Sequence, residues 1–274
     1  MPVTRIHWDD LPPDARQAVE QQTGPILRAD TASAGANSGI AATLHTAAAT
    51  LFVKGIPSDH PQARTQQREA TIAPYVPAAS PHLLWRVQAA GWDLIGYERI
   101  IGRHADYAPG SPDLPLVAQA LVELQNTPCP NIELKAAEQR WKTYAGPAGV
   151  EQLIGDTLLH TDLAPHNMLI TDRAHLIDWA WPTRGAAWID PAVLILRLME
   201  AGHTAPAADA WTRSHIPSWA AAPHDAVDAF SEANARTWDD IARNDPQEWK
   251  KTMGRLAHDW LTYWRTLTLS VTDS

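Results

Sequence analysis

The stretch from Leu158 to Ile170, LLHTDLAPHNMLI, places five polar or ionisable residues, His160, Thr161, Asp162, His166 and Asn167, between short apolar runs. A buried Asp is expensive unless it is hydrogen-bonded, paired with a charge or bound to a metal. Asp178 follows soon after, at the end of the apolar run HLI. Oxygen-bearing groups at Asn167 and Asp178, brought together by a hairpin, make an incomplete octahedral set for a hard cation. Mg²⁺ suits such a set, because it usually takes one or two protein ligands and fills its shell with water and substrate phosphates. The separate carboxylate of Asp162 is then free to orient and deprotonate an incoming hydroxyl. Asp and Asn taken singly also cap turns. The ordered set His-x-Asp-x-x-Pro-x-Asn, followed by Ile-Asp-Trp, is what points to chemistry. A hydrolase or metal enzyme built on His160, Asp162 and His166 is a second reading of the same stretch, but its third ligand is unidentified.

The elements that must position these residues fall into two halves. DDLPPDARQAVEQQTG reads as a helix stopped at Gly24. The β-prone runs ILRAD, IAATLHT and TLFVKGI, separated by small turn-forming residues, read as an antiparallel meander. HPQARTQQREATIAPYV reads as a helix with Ile72 and Val76 on one face, and HLLWRVQAAGWDLIGYERI as two strands turning at Ala90-Gly91. GRHADYAPGSPDLP reads as a linker. Beyond it LPLVAQALVELQNT, IELKAAEQRWKTYAG and GVEQLIGDT read as helices, and NMLITD and AHLIDWAW as a small hairpin. The remainder is helical, with breaks near Pro206, Pro217, Pro223 and Pro246. A sheet-rich front and a helix-rich back imply an α+β chain of two lobes with a cleft between them, where ligands are favoured.

Bulk properties narrow the chemistry. The 274 residues are long enough for two lobes, and 31 acidic against 22 basic residues give a formal charge of -9. That balance argues against nucleic acid, whose phosphates demand a basic face, and suits a cationic or neutral small molecule. The single Cys129 excludes a disulfide framework and a Cys-based zinc cluster. The opening MPVTRIHWDD has no apolar core for a signal peptide, and no stretch approaches the roughly 20 apolar residues that span a bilayer. A cytoplasmic protein with no membrane partner is therefore expected. Of the 13 Trp, the late ones at 219, 238, 249, 260 and 264 are expected in helix packing.

LLHTDLAPHNMLI and AHLIDWAWPTRGAAWIDPA together resemble the catalytic core of the aminoglycoside phosphotransferase-like kinases, small-molecule kinases that share the protein-kinase fold. The resemblance covers most of the chain in layout, but its specific motifs lie between Leu158 and Pro191. It implies a small antiparallel-sheet N-lobe over residues 1–102 with a hinge near 98–102. A mainly helical C-lobe over 103–274 would carry the catalytic loop 158–170 and the metal segment 175–181. By position, Asp162 would be the catalytic base, Asn167 and Asp178 would ligate Mg²⁺, His160 would shape the loop, and Asp190 would buttress it from a helix start. Thr161 departs from the glycine usual at its position and tests whether that backbone tolerates a β-branched side chain. His166 departs from a small residue and reads either as a surface His or as a contact to phosphate or substrate.

The resemblance also requires a lysine for the nucleotide phosphates and an acid to hold it. Lys54 in TLFVKGI and Glu69 in RTQQREATI stand in the right order, strand then helix. The loop over the phosphates would be SAGANSGIA, with Gly35 and Gly39 admitting backbone N–H groups and Ser33 or Ser38 donating a hydrogen bond. As a standalone signal it equals an ordinary hairpin turn. YERIIG would be the hinge, its backbone near Glu98, Arg99 and Ile100 meeting the adenine edge. The expected activity is transfer of the γ-phosphate of ATP, or GTP, to a hydroxyl of a small molecule, such as an aminoglycoside or another antibiotic. A metabolic kinase for an amino alcohol or sugar, and a non-catalytic nucleotide-binding pseudokinase, are the alternatives. Asp225, Asp228, Glu232, Asp239 and Asp240 would attract a polyamine, or are the ordinary charges of exposed helix faces.

Overall fold

The structure, a computed structural model, describes residues 3–32 and 38–272, with side chains through Leu267. The chain forms two compact units, residues 1–102 with 177–180, and residues 103–176 with 181–274. In the first unit, α1 (Pro13–Thr23) precedes β1 (Arg28–Thr31), β2 (Ile40–His45) and β3 (Thr50–Pro57). Helix α2 (Ala63–Ile72) then leads to β4 (Leu83–Ala89) and β5 (Trp92–Glu98). The five strands form one antiparallel sheet in the order β1-β2-β3-β5-β4. Its core is made by Ile40, Ala42, Leu44, Val53 and Leu94 packing against Trp8 and the α1 residues Ala15 and Val19. The β4–β5 connection turns at Ala90 and Gly91, with φ of 48° and 78°. Two successive positive φ values match the strand twist of a two-residue hairpin.

Helix α2 is shorter than its sequence suggests. Ile72 is fully buried as expected, but the chain then makes a single 3-10 turn, and Val76 is extended. Pro74 has no N–H to continue the helix, and a residue before proline, as Val76 is, is driven out of the helical region.

The second unit opens with β6 (Arg103–His104), α3 (Leu114–Gln125), β7 (Lys135–Ala136), α4 (Ala137–Arg140) and α5 (Lys142–Gln152). Four short strands follow: β8 (Thr157–Leu159), β9 (Met168–Ile170), β10 (Ala174–Leu176) and β11 (Thr183–Gly185). The rest is helical: α6 (Ile189–Glu200), α7 (Ala205–His215), α8 (Pro217–Ala220), α9 (His224–Asn244) and α10 (Glu248–Thr272). β9 pairs with β10 and β6, while β11 lies between β7 and β8. The segment IELKAAEQRWKTYAG is therefore not one helix. Its Lys135 and Ala136 pair in parallel with Thr183 and Arg184, and strands this short show no periodicity to read.

The expected linker after Gly102 is anchored. Arg103 and Asp113 form a two-pronged ion pair, with Arg103 Nη2 at 2.6 Å from Oδ1, and the Asp106 amide donates to Asp113 Oδ2 at 2.8 Å. The late tryptophans divide. Trp219, Trp260 and Trp264 are buried and meet one another at ring separations of 5.5–5.9 Å, whereas Trp249 is exposed and lies edge-on to Trp238. Among the described residues, no helix is long and apolar enough to cross a membrane.

Two outcomes follow for stability. A Cβ at Gly96 would lie 2.1 Å from the Trp85 ring on the neighbouring strand, so Gly96→Ala is expected to destabilise by about 1–3 kcal/mol in urea unfolding. Arg103 holds the Asp113 carboxyl below its ordinary range. A depressed folded pKa stabilises above the unfolded value of about 3.9 and is lost as pH falls through the folded value. Asp113→Asn is therefore expected to be less stable than the parent at pH 7, with the difference shrinking as pH falls below about 4.

Candidate active site

The candidate residues divide between the two units. In the first, Lys54 sits in β3, where Leu51 and Val53 face the core and Lys54 lies on the opposite face. Its Nζ is 2.5 Å from Glu69 Oε2 on α2 and 2.8 Å from Asp178 Oδ1. Glu69 is only 4% exposed, and its second oxygen accepts the Tyr97 hydroxyl at 3.0 Å. Burial by itself would depress the Lys54 ammonium, but the Asp178 and Glu69 carboxylates outweigh it and hold Lys54 above its ordinary pKa.

Asp178 was expected within the second lobe, but residues 177–180 group with the first unit. Two contacts account for this: the Lys54 ion pair and the bond from the Trp179 indole N–H to Ser80 Oγ at 3.2 Å. Asp178 has a φ of 62°, and its carbonyl accepts the Ala180 amide at 2.8 Å. Asp is among the residues that tolerate this left-handed conformation.

Ser33 and Gly35 lie outside the described residues. The flanks of their loop are tied by Arg5, whose guanidinium donates to the carbonyls of Ala32 at 3.1 Å and Ser38 at 3.4 Å. The absence of a side chain at Gly39 serves packing, since a Cβ there would come within 3.0 Å of Trp92. At the expected hinge, the Glu98 amide donates to the His82 carbonyl at 3.1 Å, and the Ile100 carbonyl accepts the Arg99 guanidinium. An adenine edge would thus have to be met by other backbone groups of this segment.

In the second unit the loop from His160 to Asn167 is held by its own network. Asp190, 1% exposed at the start of α6, accepts the His160 amide at 2.8 Å and the Thr161 amide at 2.9 Å. Burial pushes its carboxyl upward in pKa, against the pull of the two amides. The Asp162 amide donates to His160 Nδ1 at 3.3 Å. Asn167 Nδ2 donates to the Asp162 carbonyl at 3.1 Å. With its amide nitrogen engaged, Asn167 presents Oδ1 as its remaining acceptor, the oxygen a hard cation would take. Asp162 itself keeps a partly exposed carboxylate, and His166 is exposed.

Thr161 has a φ of 61°, a conformation in which a β-branched residue is an outlier. Such strain costs about 1–3 kcal/mol and persists only where the surroundings enforce it. Here the Thr161 hydroxyl donates to the Trp181 carbonyl at 2.8 Å and accepts Arg140 Nη1 at 2.7 Å.

Arg197 was missed by sequence reasoning. Its Nη2 lies 3.6 Å from Asp162 Oδ1, Nη1 donates to Glu200 at 2.9 Å, and the guanidinium sits 5.9 Å from the Trp238 ring centroid. The signal was an arginine inside the apolar run PAVLILRLM, two helical turns after Asp190 and so on the same face. Tyr107 is buried nearby. Burial pushes its phenol above the ordinary range, with Arg197 and Asp162 pulling in opposite directions.

The acids named in the helical region are largely engaged. Asp228 and Glu232 both bind Arg265, Asp239 binds His258, and Asp240 takes the Tyr144 hydroxyl and Arg243. A polycationic acceptor draws no support from them. A groove of about 440 Å³ opens in this unit, lined by Arg140, Tyr144, Asp240, Asn244 and Lys250 among others.

No protein-family model and no curated protein matches the sequence. Solved structures do match the fold. The aminoglycoside phosphotransferase APH(4)-Ia, solved in a ternary complex with ADP and hygromycin B, is 13% identical, with a TM-score of 0.57, covering 89% of this chain and 97% of that one. The choline kinase LicA from Streptococcus pneumoniae is 12% identical, with a TM-score of 0.61, covering 90% of this chain and 98% of that one. LicA in complex with AMP gives a TM-score of 0.62 at 13% identity. The α+β architecture of a small antiparallel sheet followed by a mainly helical unit is thus the kinase-like fold these proteins share.

The Lys54 cluster makes its own prediction. Removing the ammonium leaves a buried carboxylate uncompensated, so Lys54→Met is expected to destabilise the protein by about 3–5 kcal/mol. Lys54→Met combined with Glu69→Gln is expected to recover most of that loss, as read by urea unfolding.

Proposed function

We propose that the chain is a phosphotransferase that moves the terminal phosphoryl group of a nucleoside triphosphate to a hydroxyl of a small molecule. The observation that carries this reading is the Lys54 cluster, a buried strand lysine whose ammonium is shared by a helix carboxylate and by Asp178. Two carboxylates fix the position of an ammonium that would then grip nucleotide phosphates. ADP in the APH(4)-Ia complex and AMP in the LicA complex favour an adenine nucleotide over GTP.

Lys54 would bind the phosphates, held in place by Glu69. Asn167, through Oδ1, and Asp178 are the residues that would hold Mg²⁺, which when bound supplies neutralisation of charge on the triphosphate. Asp162 would accept the proton of the acceptor hydroxyl, its backbone set by His160 and Asn167 and its carboxylate lying 3.6 Å from Arg197. Asp190 binds no substrate in this scheme. It positions Asp162 through the two preceding amides. For the acceptor, hygromycin B in one neighbour and the choline kinase activity of the other mark out an aminoglycoside-like antibiotic or an amino alcohol as the classes to test first.

ADP release from Mg-ATP is the measurement, taken across a panel of aminoglycosides, amino alcohols and sugars, with a mass shift of one phosphoryl group on the acceptor. Asp162→Asn is expected to lower kcat by about 10²–10⁴-fold while ADP binding by calorimetry is retained. Nucleotide binding with no transfer to any acceptor by the unmodified protein would instead establish a non-catalytic nucleotide-binding protein.

A further inference from the structure

We propose that Arg140 is a positioning residue for Asp162, acting through the hydroxyl of Thr161. The inference rests on the reading of Asp162 as the base. Thr161 occupies a left-handed backbone position where glycine would be unstrained and is the residue the family pattern expects. A threonine there needs compensation, and both functions of its hydroxyl are used: it donates to the Trp181 carbonyl and accepts Arg140 Nη1. The same Arg140 nitrogen lies 3.4 Å from Thr183 Oγ1, which donates to the same Trp181 carbonyl at 3.0 Å. The guanidinium is also flanked by two rings, with centroids at 5.1 Å for Trp141 and 5.6 Å for Trp181. Four side chains and one carbonyl thus close a latch on the residue immediately before Asp162. Glycine would relax the backbone and remove the hydroxyl that accepts Arg140 Nη1.

The latch reaches further than the loop. Arg140 is the last residue of α4 and lines the 440 Å³ groove with Tyr144, Asp240, Asn244 and Lys250. One residue therefore borders the groove and, through its guanidinium, holds the loop that carries the proposed base.

The test compares the full-length protein with Arg140→Met, Thr161→Gly, Thr161→Ser and the Arg140→Met/Thr161→Gly double variant. The readouts are amide exchange of the peptide covering residues 158–167, and ADP release from Mg-ATP with water as acceptor. Arg140→Met and Thr161→Gly are each expected to speed exchange of this peptide by about tenfold or more. Each should also lower kcat by about 10–100-fold, with KM for ATP within about twofold. Thr161→Ser, which keeps the hydroxyl, is expected to recover most of both. The double variant should be no worse than the worse single, because both substitutions open one latch. Thr161→Gly with unchanged exchange and turnover, a Thr161→Ser as impaired as Thr161→Gly, or full additivity in the double variant would overturn the proposal. If the parent protein released no ADP with water or with any acceptor of the panel, the phosphotransferase reading would fail, and the exchange arms would still decide whether the latch exists.

Discussion

A buried ammonium has to be surrounded by acceptors, and the first unit is organised around that requirement at Lys54. The β3 alternation that sends Leu51 and Val53 into the core puts Lys54 on the other face. There it meets Glu69 from α2 and Asp178 from a segment far along the chain. Each partner is itself constrained: Glu69 is buried and bonded to Tyr97, and Asp178 adopts a left-handed backbone that turns its carboxylate from the end of an apolar run. The desolvation of Lys54 and Glu69 is offset only because their charged partners are present. This makes the cluster a poor source of net stability and a strict determinant of geometry.

The second unit solves a related problem with backbone amides. The loop after β8 has no regular partner strand for His160 and Thr161, so their N–H groups are satisfied by one carboxylate, Asp190, at the start of α6. Orphaned buried amides are costly, which explains why an acid is buried in the first turn of a mostly apolar helix. Arg197, two turns further along the same helix, then reaches the Asp162 carboxylate. A single helix thereby contacts both the backbone and the Asp162 carboxylate of the loop.

Much of this was legible in the residues, for identifiable reasons. The His160–Asn167 stretch declared itself because polar residues stood at fixed intervals among apolar ones. Lys54 and Glu69 were found because the resemblance requires a strand lysine followed by a helix acid, and the expected strand and helix each offered one. Local signals failed where partners are short or distant. β7 and β11 are too brief to show alternation, so the helix around Arg140 was read as longer than it is. The linker after Gly102 was read from its Pro and Gly content, yet the Arg103–Asp113 pair anchors it. The acids of α9 invited a charged ligand, although α10 supplies Arg265 and His258, which hold three of them, Asp228, Glu232 and Asp239.

The sequence by itself determined which side chains are candidates for chemistry and where most of the regular elements lie. Residue type, and periods of two or 3.6, are local properties of a chain. Only the tertiary structure decided who partners whom. Lys54 meets a carboxylate 124 residues away, and a strained Thr161 is tolerated because Arg140 and the Trp181 carbonyl converge on its hydroxyl. Such convergence depends on where distant segments come to rest, and no spacing within either segment records it.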